Sequence, residues 1–65
     1  AVIREGDCIY IFEFKMNQNA DAALAQIREK EYYQKYQHSD KRIFLIGANF
    51  DAASRQISEW KIEEA

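Results

Sequence analysis

Two apolar runs flanking one unbroken helical stretch constrain this chain more than any other feature. Residues 8–16 (Cys-Ile-Tyr-Ile-Phe-Glu-Phe-Lys-Met) and residues 42–50 (Arg-Ile-Phe-Leu-Ile-Gly-Ala-Asn-Phe) are rich in β-branched and aromatic side chains, as strands are. Residues 20–37 lie between them, without glycine or proline and with three alanines among the first four positions. A strand–helix–strand order closes by a right-handed crossover, which leaves the two strands parallel and packs the helix on one face of the sheet. Few folds satisfy that.

The flanks extend the pattern. Val2-Ile3-Arg4 reads as a short strand, and Glu5-Gly6-Asp7 as a tight turn that makes it antiparallel to residues 8–16. Asn17-Gln18-Asn19 breaks the strand, and Asn19 or Asp21 is placed to cap the helix. Ala20, Leu24 and Ile27 mark one apolar stripe and Ala25, Tyr32 and Tyr36 an adjoining one, with Glu31 and Lys35 as an i,i+4 pair. Residues 38–41 are a polar turn, and residues 51–54 turn again. Residues 56–62 place Trp60 and Ile62 on one side, as in an edge strand, with helix as the alternative. The fold class expected is α/β: a mixed sheet in β-β-α-β-β order, with one long helix over residues 20–37 on one face. Nothing within the 65 residues obviously covers the other face.

Composition excludes several functions. A chain of 65 residues is one small domain, with limited capacity to bury a core. One cysteine, Cys8, allows no internal disulfide, and Cys8 with the lone His38 cannot build a Cys/His zinc site. No apolar run approaches a membrane span and no signal-peptide pattern opens the chain, so a reducing cytoplasm is the expected setting. Nine basic against eleven acidic side chains give a net charge of −2, without the basic excess of most nucleic-acid-binding domains. No glycine-rich phosphate or dinucleotide loop follows a strand. Cys8 reads as a small core residue, His38 as a favourable charge at a helix end, and Trp60 as a packing or interface residue. Gly47 inside a strand signals close backbone approach.

Residues 8–16 also repay a count by parity. Cys8, Tyr10, Phe12, Phe14 and Met16 form an unbroken apolar face, which is expected to receive the helix. The other parity carries Ile9, Ile11, Glu13 and Lys15, so that Glu13 and Lys15 share a face about 7 Å apart. They stand near the carboxyl end of the strand, where open α/β sheets place their ligand crevice. A Glu-x-Lys tripeptide is a weak signal by itself. It equally describes a strand emerging into water, with an exposed pair worth about 0–1 kcal/mol.

The surrounding residues add to that signal. Tyr10-Ile-Phe-Glu-Phe-Lys-Met16, Ala22-Ala-Leu-Ala-Gln-Ile27, Tyr32, Tyr36, Ile43-Phe-Leu-Ile-Gly-Ala-Asn-Phe50 and Arg55-Gln-Ile-Ser-Glu-Trp-Lys61 together resemble one family. It is the PD-(D/E)XK nuclease-superfamily domain found at the carboxyl end of bacterial AAA-ATPase-like proteins, which has a restriction-endonuclease-like fold. The resemblance implies that Glu13 is a metal ligand and Lys15 the catalytic lysine. Gln26 would be a polar helix position facing the site, followed by Tyr32 and Tyr36. It also implies a Mg²⁺ or Mn²⁺ cofactor, nucleic acid as substrate and an ATPase-like domain in cis. The chemistry is coherent. Hard carboxylate oxygens suit Mg²⁺, and a lysine beside the reacting phosphate stabilises developing negative charge.

One departure matters. The superfamily places another acidic residue, usually Asp, on the preceding strand, about a dozen residues before the Glu. Here that count reaches Ala1 or just before it, and Asp7 stands in a turn too close to Glu13. The chain therefore reads as the C-terminal part of such a domain, residues 1–65, with the upstream helix and first strand absent. One carboxylate should bind Mg²⁺ only weakly, so the chain alone is expected to be inactive. A second reading is a degenerate copy retained as an interaction or regulatory module. An Asp immediately upstream of Ala1 in the parent gene would count against that reading. A bare sheet face and edge predict self-association, most simply as a twofold dimer.

Overall fold

The computed structural model describes residues 1–30, 34–35 and 40–65. The elements run β1 (Val2–Glu5), β2 (Cys8–Met16), α1 (Ala20–Glu29), β3 (Arg42–Asp51) and β4 (Gln56–Glu64). They form one sheet in the order β1-β2-β3-β4, with β2 and β3 parallel and both outer pairs antiparallel. Gly6, at φ +56, makes the turn between β1 and β2, a conformation that glycine adopts without steric cost. The described residues form a small mixed α/β unit, a four-stranded sheet with the helix α1 packed on it.

The helix differs from the sequence reading. It spans ten residues rather than reaching position 37, because at Lys30 the backbone turns extended (φ −78, ψ 132) and the Lys30 N–H closes the last turn on the Gln26 carbonyl. Its start is better signalled. Asn19 is the cap, its Oδ1 accepting the Ala22 N–H at 2.7 Å. The expectations placed on Glu31, Tyr32, Tyr36 and His38 fall outside the described residues.

A second correction concerns which face the helix covers. The even-numbered side chains of β2 do not receive it. The buried core is Ile9 and Ile11 of β2, Leu24 and Ile27 of α1, and Ile43 and Leu45 of β3. Both parities of β2 are apolar over residues 8–12, so alternation alone leaves the choice open. Glycine decides it. The parallel register sets Gly47 opposite Glu13, and a Cβ built on Gly47 would meet the Ala20 carbonyl oxygen at 2.7 Å. The helix therefore sits on the face where β3 has no side chain at that point. This is also the face that carries Glu13 and Lys15.

The opposite face has no covering layer among the described residues. Tyr10 stacks on Phe44, its register partner, with ring centroids 5.5 Å apart and planes 18° from parallel. Around that pair Ile3, Phe14, Met16, Ile57, Trp60 and Ile62 are each 48–65% exposed. Arg42 and Glu64 pair at its border through two hydrogen bonds of 2.9 Å, which raises the guanidinium's pKa and holds the carboxyl below its ordinary value. No helix of the described residues is long and apolar enough to cross a membrane.

Candidate active site

The helix packs over β2 and β3, and three polar contacts tie it to β4 as well. Asp21 takes the Lys61 ammonium at 2.9 Å, Arg28 reaches Glu63 at 2.7 Å, and the Ala20 N–H donates to Glu59 Oε1 at 2.6 Å. The other side of α1 presents Ala22, Ala25, Gln26 and Glu29, which with Lys15, Gln18 and Lys30 line an open cleft of about 510 Å³. Two small alanines on that side keep the cleft from being filled by the helix itself.

Glu13 and Lys15 project from β2 on the helix side, on either side of outward-facing Phe14. Lys15 and Gln26 therefore meet across the same cleft. Glu13 stands beside it, its side chain 16% exposed, and pairs through Oε1 with the Lys30 ammonium at 3.3 Å. Gln26 Oε1 is buried and accepts no hydrogen bond. A buried carbonyl oxygen without a donor is costly.

Behind Lys15 stands Asn49, its partner in the β2–β3 register and only 4% exposed. Its Oδ1 accepts the Gln18 N–H at 2.8 Å, and its Nδ2 donates to Ser58 Oγ at 3.0 Å. Ser58 falls where the β3–β4 register shifts, between Asn49 and Phe50. Asn49→Ala would strip the acceptor from the Gln18 N–H and the donor from Ser58. The expected loss of stability is about 1–3 kcal/mol, read as a lower midpoint in urea unfolding by circular dichroism. An unchanged midpoint would show that the network contributes nothing.

Sequence reasoning found Glu13, Lys15 and Gln26 but missed Lys30, Gln18 and Asn49. Lys30 was hidden, because it stands four residues after Gln26 but just past the end of α1, where the backbone has already turned extended. Asn49 was legible as the polar residue in an otherwise apolar strand. Gln18 depends on the path of the chain after β2, which no spacing rule supplies.

The sequence model of the PD-(D/E)XK nuclease superfamily matches residues 1–60, a span that includes every residue of this cleft. The chain belongs to the PD-(D/E)XK nuclease superfamily. No curated protein and no solved structure matches it. PD-(D/E)XK nucleases generally use Mg²⁺ or Mn²⁺, and the donor set here can be tested against that requirement. Among the described residues no group of three or more His, Cys, Asp or Glu side chains stands together. Glu13 offers one carboxylate, with an oxygen already held by Lys30, and Gln26 Oε1 is a second hard oxygen. Mg²⁺ requires near-octahedral oxygen coordination, so these residues do not complete a divalent-cation site.

Proposed function

We propose that this chain is the part of a PD-(D/E)XK domain bearing Glu13, Lys15 and Gln26, and that its intact parent hydrolyses nucleic-acid phosphodiesters with Mg²⁺ or Mn²⁺. The observation that carries the reading is convergence: Lys15 and Gln26 line one cleft, with Glu13 at its edge, in a chain of that superfamily. Lys15 supplies a positive charge for the phosphoryl oxygens as negative charge builds on them. Gln26 has an oxygen for the attacking water and an amide N–H₂ for a phosphate oxygen. Glu13 contributes one carboxylate toward a metal whose remaining ligands the parent provides. The 65 residues alone do not cleave, and an ATPase-like domain stands beside this one in cis within a bacterial cytoplasm. The test is cleavage of single- and double-stranded DNA and RNA by the parent protein, with and without Mg²⁺ or Mn²⁺. Metal-dependent cleavage of any of them supports the reading. Its absence from all four overturns it.

A second reading, an interaction or regulatory module on a nuclease-type fold, draws on the sheet face that no other described element covers. At roughly 200 Å² per large side chain, six of them half to two-thirds exposed leave on the order of 600 Å² of apolar surface. That matches the largest patch a monomer usually shows, about 300–600 Å², and approaches the roughly 800 Å² each partner gives to a standard interface. The Arg42–Glu64 pair cancels charge at the border, so a twofold copy meets no repulsion there. We propose that two copies of the chain pair through this face. Sedimentation should show a dimer at high micromolar concentration, converted to monomer by Trp60→Glu. A folded wild-type monomer at that concentration rules the dimer out.

A further inference from the structure

We propose that Lys30 is a tethered counter-cation that keeps divalent metal off Glu13. The inference rests on the reading of Glu13 as a carboxylate for a cation, and it explains why the described residues do not form a metal site by themselves.

The Lys30 ammonium lies 3.3 Å from Glu13 Oε1, where a cation would sit. This pair differs from the Arg28–Glu63, Arg42–Glu64 and Lys61–Asp21 pairs. In those, both side chains are at least 44% exposed, whereas the Glu13 side chain is only 16% exposed. Solvent and salt therefore screen its charge less, and the occupant of its oxygen matters more. Lys30 itself is 41% exposed and carries a long flexible stem, so its head can leave while its backbone stays in place. That backbone is anchored: the Lys30 N–H donates to the Gln26 carbonyl at 3.1 Å as the last turn of α1 closes. The helix end thus carries a positive charge to the carboxylate and fixes it beside Gln26, whose Oε1 is unpartnered.

An ammonium at contact distance lowers divalent affinity twice over. It takes a lone pair that the metal needs, and its charge repels the incoming ion. The affinity of oxygen-lined cation sites depends on ligand charge, and Lys30 cancels the charge Glu13 supplies. Lysine is therefore the removable element, and methionine preserves its stem without the charge.

The experiment is Mn²⁺ binding, read as loss of the free-ion electron paramagnetic resonance signal. It uses the wild-type chain, Lys30→Met, Lys30→Arg, Glu13→Gln and the Glu13→Gln/Lys30→Met double variant. Each is first checked for native circular dichroism. Lys30→Met should bind Mn²⁺ about fivefold more tightly than wild type, the scale expected for release of one partly exposed ion pair. Lys30→Arg, which keeps the charge, should stay at the wild-type level, and the double variant should lose the gain. If Lys30→Met binds no more tightly while Glu13→Gln still weakens binding, Lys30 has no such role and Glu13 keeps its own. If Glu13→Gln changes nothing in either background, both readings fall.

Discussion

Gly47→Val is expected to abolish cooperative folding. The first carbon added at this position would stand 2.7 Å from the Ala20 carbonyl oxygen, 3.0 Å from Ala23 Cβ and 3.0 Å from Leu24 Cγ. The nearest of these atoms is backbone in the first turn of α1 and cannot rotate away. Ala20, Ala23 and Leu24 are themselves buried, so relief requires lifting the whole helix from the sheet. Overpacking by a single methyl, as in Gly47→Ala, costs about 1–3 kcal/mol. Valine adds two more carbons at the same spot. A domain of this size rarely has more than about 3–5 kcal/mol to lose. Urea unfolding should show a lowered midpoint for alanine and no cooperative transition for valine. Two native-like curves would mean that the helix is not seated over Gly47. The effect reaches the site as well, because α1 brings Gln26 and Lys30 to β2.

The same glycine shows how far the fold was legible from sequence. The strands, the crossover and the Asn19 cap each follow from a local signal: β-branched runs, an interval without glycine or proline, an asparagine before alanines. The helix face does not, because the first half of β2 is apolar on both parities. Only the register, pairing Glu13 with Gly47, settles it. The helix end was also hidden. Nothing in Arg28-Glu29-Lys30-Glu31 breaks a helix by propensity, yet the chain leaves α1 at Lys30. For the site, Glu13 and Lys15 were visible through strand parity and Gln26 through the family resemblance. Lys30 required the place where α1 stops, a property of packing rather than of spacing.

The largest effect on chemistry is expected at Lys15 and Glu13. Neither belongs to the hydrophobic core, so truncating them should leave the fold intact. Lys15 lines the cleft with Gln26, and removing a positive charge that stabilises a transition state costs about 10²–10³ in rate. Glu13 is the one carboxylate on that face of β2, and in the proposed function its loss removes the negative charge offered to metal. Lys15→Ala and Glu13→Ala should each slow cleavage by the parent protein at least about a hundredfold, with unfolding midpoints near wild type. Added salt or metal should not restore Lys15→Ala, since no small ion replaces an ammonium held by β2.

One measurement weighs most: the single-turnover rate of phosphodiester cleavage by the parent protein in Mn²⁺, for wild type, Glu13→Ala and Lys15→Ala, at matched stability. The expected result is metal-dependent cleavage in wild type and a loss of about two orders of magnitude or more in both variants. Cleavage that survives both substitutions at the wild-type rate would contradict a nuclease site built on Glu13 and Lys15.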